Sequence, residues 1–353
     1  MRGDTVSKQI QATKRLKFEN TYYDIKNDIR KNEINIRIGG RGLGKTFSAY
    51  RLLIDNFLTN GNGFIILRRR STEVESLLSS IVNYYPDNVF SYETDKKSDI
   101  TTLYIDKQKA GFILALSCTT KYKSHYFDVE YILFDEFIKA STEKRLSDDE
   151  CFTFFELLET VVRDKENVTC ILLSNAIKLN NDYFRMWKIA INEIETGKIN
   201  QVNDVVNLIV LNSTSEYMER KSKTLTFKAS KNTKYFDYAF YNSFDTGNLQ
   251  YYIKENKSKI LPSKNDFYFS YQNIVYWVNQ NYISQIDIKD VPAKAAIFSD
   301  NMENVRNTAL LDKVTLISNI QNMLTQKLLY HYIYFSDLNV AVNLAPILFF
   351  EEY

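Results

Sequence analysis

The chain has 353 residues, more than one core usually serves, so two domains are expected. Hydrophobic residues make up 44% and charged residues 25%, and 45 Lys and Arg against 43 Asp and Glu leave a net charge of +2, so no whole-chain pull toward nucleic acid exists and any such contact must come from local clusters. Three scattered cysteines (Cys118, Cys151, Cys170) argue against a disulfide framework, and two distant histidines (His125, His331) without a cysteine partner argue against zinc.

The polar N-terminal stretch through Arg15 does not read as a secretory signal, and no apolar run is long enough for a bilayer span, so an intracellular protein is expected. A short helix is predicted around Tyr22–Arg30. Ile34–Ile38 is a β-branched run ending in glycines and reads as a buried strand. Thr46–Phe57 carries Phe47, Tyr50, Leu53, Ile54 and Phe57 at helical spacing, and Asn60-Gly61-Asn62-Gly63 then breaks the chain before a second strand at Phe64–Leu67. Thr101–Asp106 and Gly111–Ser117 alternate about a polar turn, as a hairpin does. Tyr131–Phe134 is a strand closed by Asp135 and Glu136, Glu150–Arg163 has helical spacing, and Val168–Leu173 is a further strand ending in Ser174-Asn175. Strands alternating with helices in this way form a parallel sheet wrapped by helices. That domain is expected over residues 1–200.

Residues 201–353 read as a smaller α+β domain. Short strands are predicted at Val205–Leu211, Thr224–Phe227, Phe267–Tyr271, Ile274–Asn279 and Tyr282–Ile288. A helix follows over Val305–Leu328, then Leu329–Phe335 and an apolar terminal strand at Val340–Phe349.

Gly39-Gly40-Arg41-Gly42-Leu43-Gly44-Lys45-Thr46 fits the phosphate-binding loop pattern G-x-x-x-x-G-K-[ST] without a mismatch, between a strand and a helix as that motif requires. Glycines let the backbone curl so that successive N–H groups point at phosphate oxygens, and the helix adds its positive end. Lys45 would reach the β and γ phosphates and the Thr46 hydroxyl would ligate Mg²⁺. Asp135, at the C-terminal end of an apolar strand, can hold the magnesium shell, and Glu136 can polarise water for attack on the γ phosphate. Read alone, the acidic pair is a solvated strand end; beside the upstream loop it reads as catalytic. Motors with an additional strand between phosphate loop and acidic strand carry such a glutamate, which makes Phe64–Leu67 and Val168–Leu173 the expected neighbours. Asn175 stands where such enzymes sense the γ phosphate, and equally where a turn cap would stand.

GGRGLGKT at Gly39–Thr46, FIILRR at Phe64–Arg69, FDEFI at Phe134–Ile138, ETVVR at Glu159–Arg163 and LSNA at Leu173–Ala176 occur in this order. Together they resemble the DNA-packaging ATPases of the phi29-like phages and, more distantly, the large terminases. The resemblance implies an α/β phosphate-loop NTPase domain of the additional-strand, catalytic-glutamate type, followed by a smaller ribonuclease H-like domain without nuclease activity. It implies an ATPase that uses ATP and Mg²⁺ to move double-stranded DNA into an empty procapsid. Its copies would form a ring, a pentamer, in the host cytoplasm, docked on the portal with a structural packaging RNA as a further partner.

By position, Arg163 matches an arginine finger that acts on the next subunit; read alone, it is a helix-end arginine that Glu159 can pair with. The resemblance also places Arg68, Arg69 and Arg70, which run into a segment with Glu73 and Glu75, and Lys121 and Lys123 among residues that act between subunits or on DNA, where a solvated charged face is the plain alternative. Arg220-Lys221-Ser222-Lys223, with Lys228, Lys231 and Lys234, could face the phosphates of DNA or of the RNA, and equally reads as a solvated exterior. Asp237, Asp245, Asp266, Asp287, Asp290 and Asp300 are available to a two-metal nuclease, but nothing in their setting marks a set. The rival readings are a full terminase that also cuts DNA and a slow nucleotide-binding assembly switch.

Overall fold

Apolar runs of period two and helical spacings alternate through the first 210 residues, and they resolve into a ten-stranded sheet. The computed structural model describes residues 5–10, 22–71, 77, 81–123, 125–138, 146, 150–175, 181–187, 189, 194–231, 233, 236, 252–254, 261–300, 308–330 and 332–348. They belong to two units. The first comprises Met1–Ile177, Asn181–Ile189 and Ile194–Asp245, and the second Lys178–Asn180, Ala190–Glu193 and Thr246–Tyr353.

The first unit runs β1 (Thr5–Ile10), β2 (Ile34–Ile38), α1 (Lys45–Asn60), β3 (Phe64–Arg68), β4 (Phe90–Asp95), β5 (Ile100–Ile105), β6 (Gln108–Ala115), β7 (Tyr131–Asp135), α2 (Glu150–Val162), β8 (Thr169–Ser174), α3 (Asp182–Met186), β9 (Asn200–Asn203), β10 (Val206–Val210), α4 (Ser215–Ser222) and α5 (Leu225–Ser230). The sheet order is β1-β4-β5-β6-β3-β7-β8-β2-β10-β9. From β6 to β10 every pairing is parallel, and antiparallel strands extend both edges. Parallel strands are buried on both faces, which is why β3, β7 and β8 read as unbroken apolar runs. One face packs Phe64, Ile66, Leu133, Ile171 and Leu173 against Leu53, Ile54 and Phe57 of α1. On the other, Phe134 stacks on Phe154 of α2 at 5.5 Å between ring centroids.

The boundary expected at residue 200 falls inside this unit. The β9–β10 hairpin extends the sheet because β10 pairs in parallel with β2, Val206 opposite Ile34 through Val210 opposite Ile38, and the unit runs on to Asp245. Thr224–Phe227, expected as a strand, belongs to helix α5: the Thr224 hydroxyl caps it by accepting from the Phe227 amide. The short helix predicted at Tyr22–Arg30 contracts to a single turn, Ile25–Asn27.

β2 carries two polar residues, Asn35 and Arg37, on the face it shares with Ile171 and Leu173, and both are buried. Arg37 donates to Asp28 Oδ1 at 2.8 Å and to Asn207 Oδ1 at 2.7 Å, while Asn35 accepts from the Arg30 amide. A buried cation is tolerated only when its donors are matched, and here the segment leading into β2 and its neighbour β10 supply the acceptors. The strand that feeds the glycine loop is thereby fixed in place.

The second unit holds β11 (Phe267–Tyr271), β12 (Ile274–Val278), β13 (Tyr282–Gln285), β14 (Ile297–Ser299), β15 (Thr308–Leu310), α6 (Lys313–Leu329), β16 (Tyr334–Phe335) and α7 (Leu338–Leu348). Its sheet order is β15-β14-β11-β12-β13-β16, with β11, β12 and β13 an antiparallel meander and β14 and β15 parallel to β11. α6 buries Leu316, Ile320, Leu324 and Leu328, an i, i+4 stripe.

The terminal strand expected at Val340–Phe349 is helix α7. Val340, Ala341, Leu344, Ala345 and Leu348 are buried at helical spacing, and Asp337 Oδ1 accepts from the Val340 amide at the helix start. Likewise the helix expected from Val305 begins at Lys313, where Asp312 caps it by accepting from the Thr315 amide at 2.9 Å. Asp266 accepts from Trp277 Nε1 at 2.8 Å, and Asp287 accepts from the Lys289 amide. Asp237, Asp245, Lys234, His331, Glu73 and Glu75 lie outside the described residues. Among the described residues no helix is long and apolar enough to cross a membrane.

Candidate active site

The loop between β2 and α1 runs from Gly39 to Gly44, at the C-terminal edge of the parallel strands. Gly42 and Gly44 hold φ at 81° and 97°, a left-handed region that side chains enter only at a cost. Gly44 is the N-cap of α1, and its carbonyl accepts from the Ser48 amide at 2.8 Å. Lys45 is buried, and its ammonium donates to the carbonyls of Gly39 at 2.7 Å and Gly40 at 2.9 Å, so it is folded into the curl of the loop. Asn175 Oδ1 lies 3.4 Å from the same nitrogen. Burial pushes the Lys45 ammonium down to about 8, against the opposing pull of Asp135 and Glu136.

β8 lies between β2 and β7, so the loop strand and the acidic strand are separated by one additional strand. This spacing brings the Thr46 hydroxyl to 3.1 Å from Asp135 Oδ1. Two oxygens at that separation suit adjacent corners of an octahedron with ligands at about 2.1 Å, whose edge is about 3.0 Å. The residues present therefore fit a magnesium ion.

Asp135 is buried and has two further neighbours: Tyr50 OH donates to its Oδ2 at 3.3 Å, and Arg68 Nη2 lies 3.0 Å from the same oxygen. Burial and Asp135 together hold the Tyr50 phenol well above its usual range, so it stays a donor. Glu136 follows with φ at 59° and its side chain largely exposed, 3.5 Å from Arg68 Nη1. A non-glycine residue in that region costs about 1 kcal/mol, a strain that places the carboxylate just beyond the strand end. Phe137 secures the turn by donating its amide to the Leu173 carbonyl on β8.

The basic triplet expected to act together on DNA or between subunits divides instead. Arg68 joins Asp135, Tyr50 and Glu136 within its own chain. Arg69 is buried on the opposite face in a two-pronged pair with Glu150, Nε to Oε2 at 3.1 Å and Nη2 to Oε1 at 2.6 Å, so it cannot face DNA. Arg70 is exposed. Lys121 and Lys123 are exposed in the turn after β6, and Lys121 pairs with Asp99.

Arg163 follows α2 with φ at 49°, exposed, donating to the His125 carbonyl at 2.9 Å. That position precedes β8, at the N-terminal edge of the strands. The six residues of β8 separate it from Asn175 by about 20 Å. It cannot serve the glycine loop of its own chain, and its side chain does not take the Glu159 partner that sequence allows.

Two groups at the site escaped the sequence reading. Tyr50 had a signal: it stands four residues after Thr46, one helical turn along the same face. The other group sits in α4. The buried Tyr217 donates its hydroxyl to the Arg41 carbonyl at 2.9 Å, and Arg220 Nη2 donates to the Gly42 carbonyl at 3.0 Å. Arg220 and Lys221, expected to meet nucleic acid, thus lie against the glycine loop; nothing local to their sequence marks a contact across more than 170 positions.

The sequence pattern of the podovirus DNA encapsidation protein (Gp16) family matches residues 18–340. The chain belongs to that family. It is 28% identical to the DNA packaging protein of Bacillus phage phi29 over 298 residues, 82% of this chain and 83% of the relative, and equally to that of Bacillus phage PZA. In fold it is similar to a chain of the bacteriophage Phi-29 viral genome packaging motor assembly (TM-score 0.65, 23% identity, 94% of this chain and 99% of that one). It is also similar to the Phi-28 gp11 DNA packaging motor (TM-score 0.62, 16% identity, 95% and 100%). Each of these two structural matches spans nearly the whole of both chains.

Proposed function

We propose that this chain is the ATP-hydrolysing subunit of a motor that drives double-stranded DNA into an empty procapsid. The observation that carries the proposal is the Thr46–Asp135 contact at 3.1 Å, set up by the additional strand β8. Gly39 to Gly44, with Arg41 and Leu43 in the same curl, would cradle the phosphate chain of ATP through their amides. Lys45 would leave the loop carbonyls for the β and γ phosphates, and Asn175, already beside it, would mark the γ phosphate. Thr46 and Asp135 would hold Mg²⁺, which when bound neutralises charge between the phosphates.

Glu136 stands free of the strand end and takes the proton of the attacking water. Arg68 holds both carboxylates on the α1 side and so sets where the Glu136 carboxylate points. Arg163, on the far edge of its own sheet, has a nucleotide to act on only in a ring of copies; there its guanidinium meets the charge developing on the neighbour's phosphoryl group. A five-membered ring on the portal, with a structural RNA beside it, completes the reading. Arg70, Lys121 and Lys123 are the exposed cations for DNA-backbone contact, which needs no sequence reading.

The test is ATP turnover by the purified protein with Mg²⁺, with and without double-stranded DNA. Turnover stimulated by DNA is expected, and Glu136→Gln should lower it by about 10²–10⁴ while nucleotide binding persists. Wild-type protein with no turnover under any DNA or ring-forming condition would overturn the proposal.

A further inference from the structure

Tyr50 reaches the site, and the roles given above leave it without a part. Its hydroxyl donates to Asp135 Oδ2 at 3.3 Å and accepts from Arg68 Nη2 at 3.2 Å. Chemistry fixes the direction of both contacts. A guanidinium only donates and an ionised carboxylate only accepts, so the single proton of the phenol points at Asp135. The Tyr50 side chain is buried and belongs to the apolar cluster that α1 forms with the sheet. The hydroxyl is thus a polar tip on an apolar body, held in one place by packing.

Thr46 and Tyr50 stand one turn apart on α1, and they take opposite oxygens of the same carboxylate. Thr46 Oγ1 lies 3.1 Å from Oδ1, whereas Tyr50 meets Oδ2. We propose that Tyr50 is a positioning residue of the magnesium site: its hydroxyl holds Asp135 Oδ2 so that Oδ1 stays one octahedral edge away from the Thr46 hydroxyl. This rests on the reading of Thr46 and Asp135 as the Mg²⁺ ligands and adds to it what keeps the carboxylate from turning. The χ2 torsion of an aspartate is broad, so an unheld carboxylate swings out of the octahedral angles that magnesium requires. Arg68 also reaches Oδ2, but it comes from β3 and is shared with Glu136. Tyr50 lies on the helix that carries Thr46, so a single rigid turn fixes both oxygens of Asp135 relative to the second ligand. Hydrogen-bond partners behind a metal ligand are worth about 10–100-fold in metal affinity.

The experiment measures Kd for a fluorescent, non-hydrolysable ATP analogue on the full-length protein, in excess Mg²⁺ and in EDTA. The ratio of the two values reads how much the metal adds to nucleotide binding. In Tyr50→Phe that ratio should shrink about tenfold while the value in EDTA matches wild type. Tyr50→Met, which keeps apolar bulk without the hydroxyl, should shrink it as far. Asp135→Asn should shrink it at least as much. Adding Tyr50→Phe to Asp135→Asn should then change it no further, because the phenol acts through that carboxylate. A tyrosine that merely packs would lower the melting temperature and shift both Kd values together, leaving the ratio as in wild type. That result in Tyr50→Phe and Tyr50→Met, with Asp135→Asn still shrinking the ratio, overturns the inference and leaves the metal site standing. A wild-type ratio in Asp135→Asn as well removes the metal reading and the inference together. A further loss on adding Tyr50→Phe to Asp135→Asn also overturns the inference, since the hydroxyl would then act by another route.

Discussion

Nucleotide binding should carry a proton with it, and the amount is set by Lys45. Burial holds its ammonium at about 8, the nearby Asp135 and Glu136 only partly offsetting the loss of solvent. Before binding, the side chain is then about half neutral at pH 8, about one-tenth neutral at pH 7 and about nine-tenths neutral at pH 9. A triphosphate brought against it favours the charged form, so binding completes the protonation. Calorimetric titration in buffers of different ionisation enthalpy measures that uptake directly: about 0.1 proton per nucleotide at pH 7, 0.5 at pH 8 and 0.9 at pH 9. Affinity should fall as pH rises through 8, by up to tenfold per unit above it. Because Lys221 is also pushed down by burial, the series is repeated in Lys221→Ala, where the uptake centred on pH 8 should remain. Binding with no proton uptake at pH 8, in wild type and Lys221→Ala alike, would show that Lys45 is fully charged before the ligand arrives and would refute the reasoning.

The same ammonium affects folding. Between its folded value of about 8 and the unfolded value of 10.5 the unfolded chain binds more protons, so this group makes the protein more stable as pH rises through that window, by about 3 kcal/mol in all. Denaturation midpoints of wild type and Lys45→Met should differ below pH 8 and converge toward 10.5. Removing either partner of the buried Arg69–Glu150 pair should cost about 3–5 kcal/mol in chemical denaturation, whereas replacing both with apolar residues of similar volume should cost far less. Arg163→Ala should bind nucleotide as wild type yet lose about 10³-fold or more in turnover, and turnover should partly return when its subunits are mixed with Glu136→Gln subunits, each supplying what the other lacks. At Gly111 on β6 an added Cβ would lie 2.0 Å from the Phe64 carbonyl across the β3–β6 pairing, so Gly111→Ala should lower the melting temperature where Gly61→Ala, which meets no neighbour, is limited by backbone strain alone.

Much of the first unit was legible because its signals are local. β3, β7 and β8 are buried on both faces and so read as apolar runs, β2 shows itself as a β-branched run ending in glycines, and the glycine loop declares itself by spacing. The helices α5 and α7 were misread as strands because β-branched and aromatic residues favour strands only as a weak prior. What decided them was one capping oxygen each, Thr224 Oγ1 and Asp337 Oδ1, joined in α7 by burial at helical spacing. The domain boundary failed for a different reason: β10 resembles any other short apolar strand, and only its long-range pairing with β2 assigns it to the first unit.

The three arginines after β3 show why composition could not sort the site. A strand turns successive side chains to opposite faces, so residues adjacent in sequence enter different environments. Arg68 shares the face of Phe64 and Ile66, the α1 face, and the pairing of Leu67 with Phe134 carries it alongside Asp135. Arg69 shares the face of Ile65 and Leu67, the α2 face, where Glu150 at the start of that helix meets it. Arg70 has left the sheet and meets solvent. A basic triplet is therefore three separate statements, one about chemistry, one about stability and one about the surface. Exchanging the first two demands a one-residue slip of β3, which would also turn Phe64 and Ile66 away from the core they share with α1. The apolar pattern of the strand thus fixes which arginine reaches the carboxylates, and the chemistry of the site is tied to the same register that holds the sheet together.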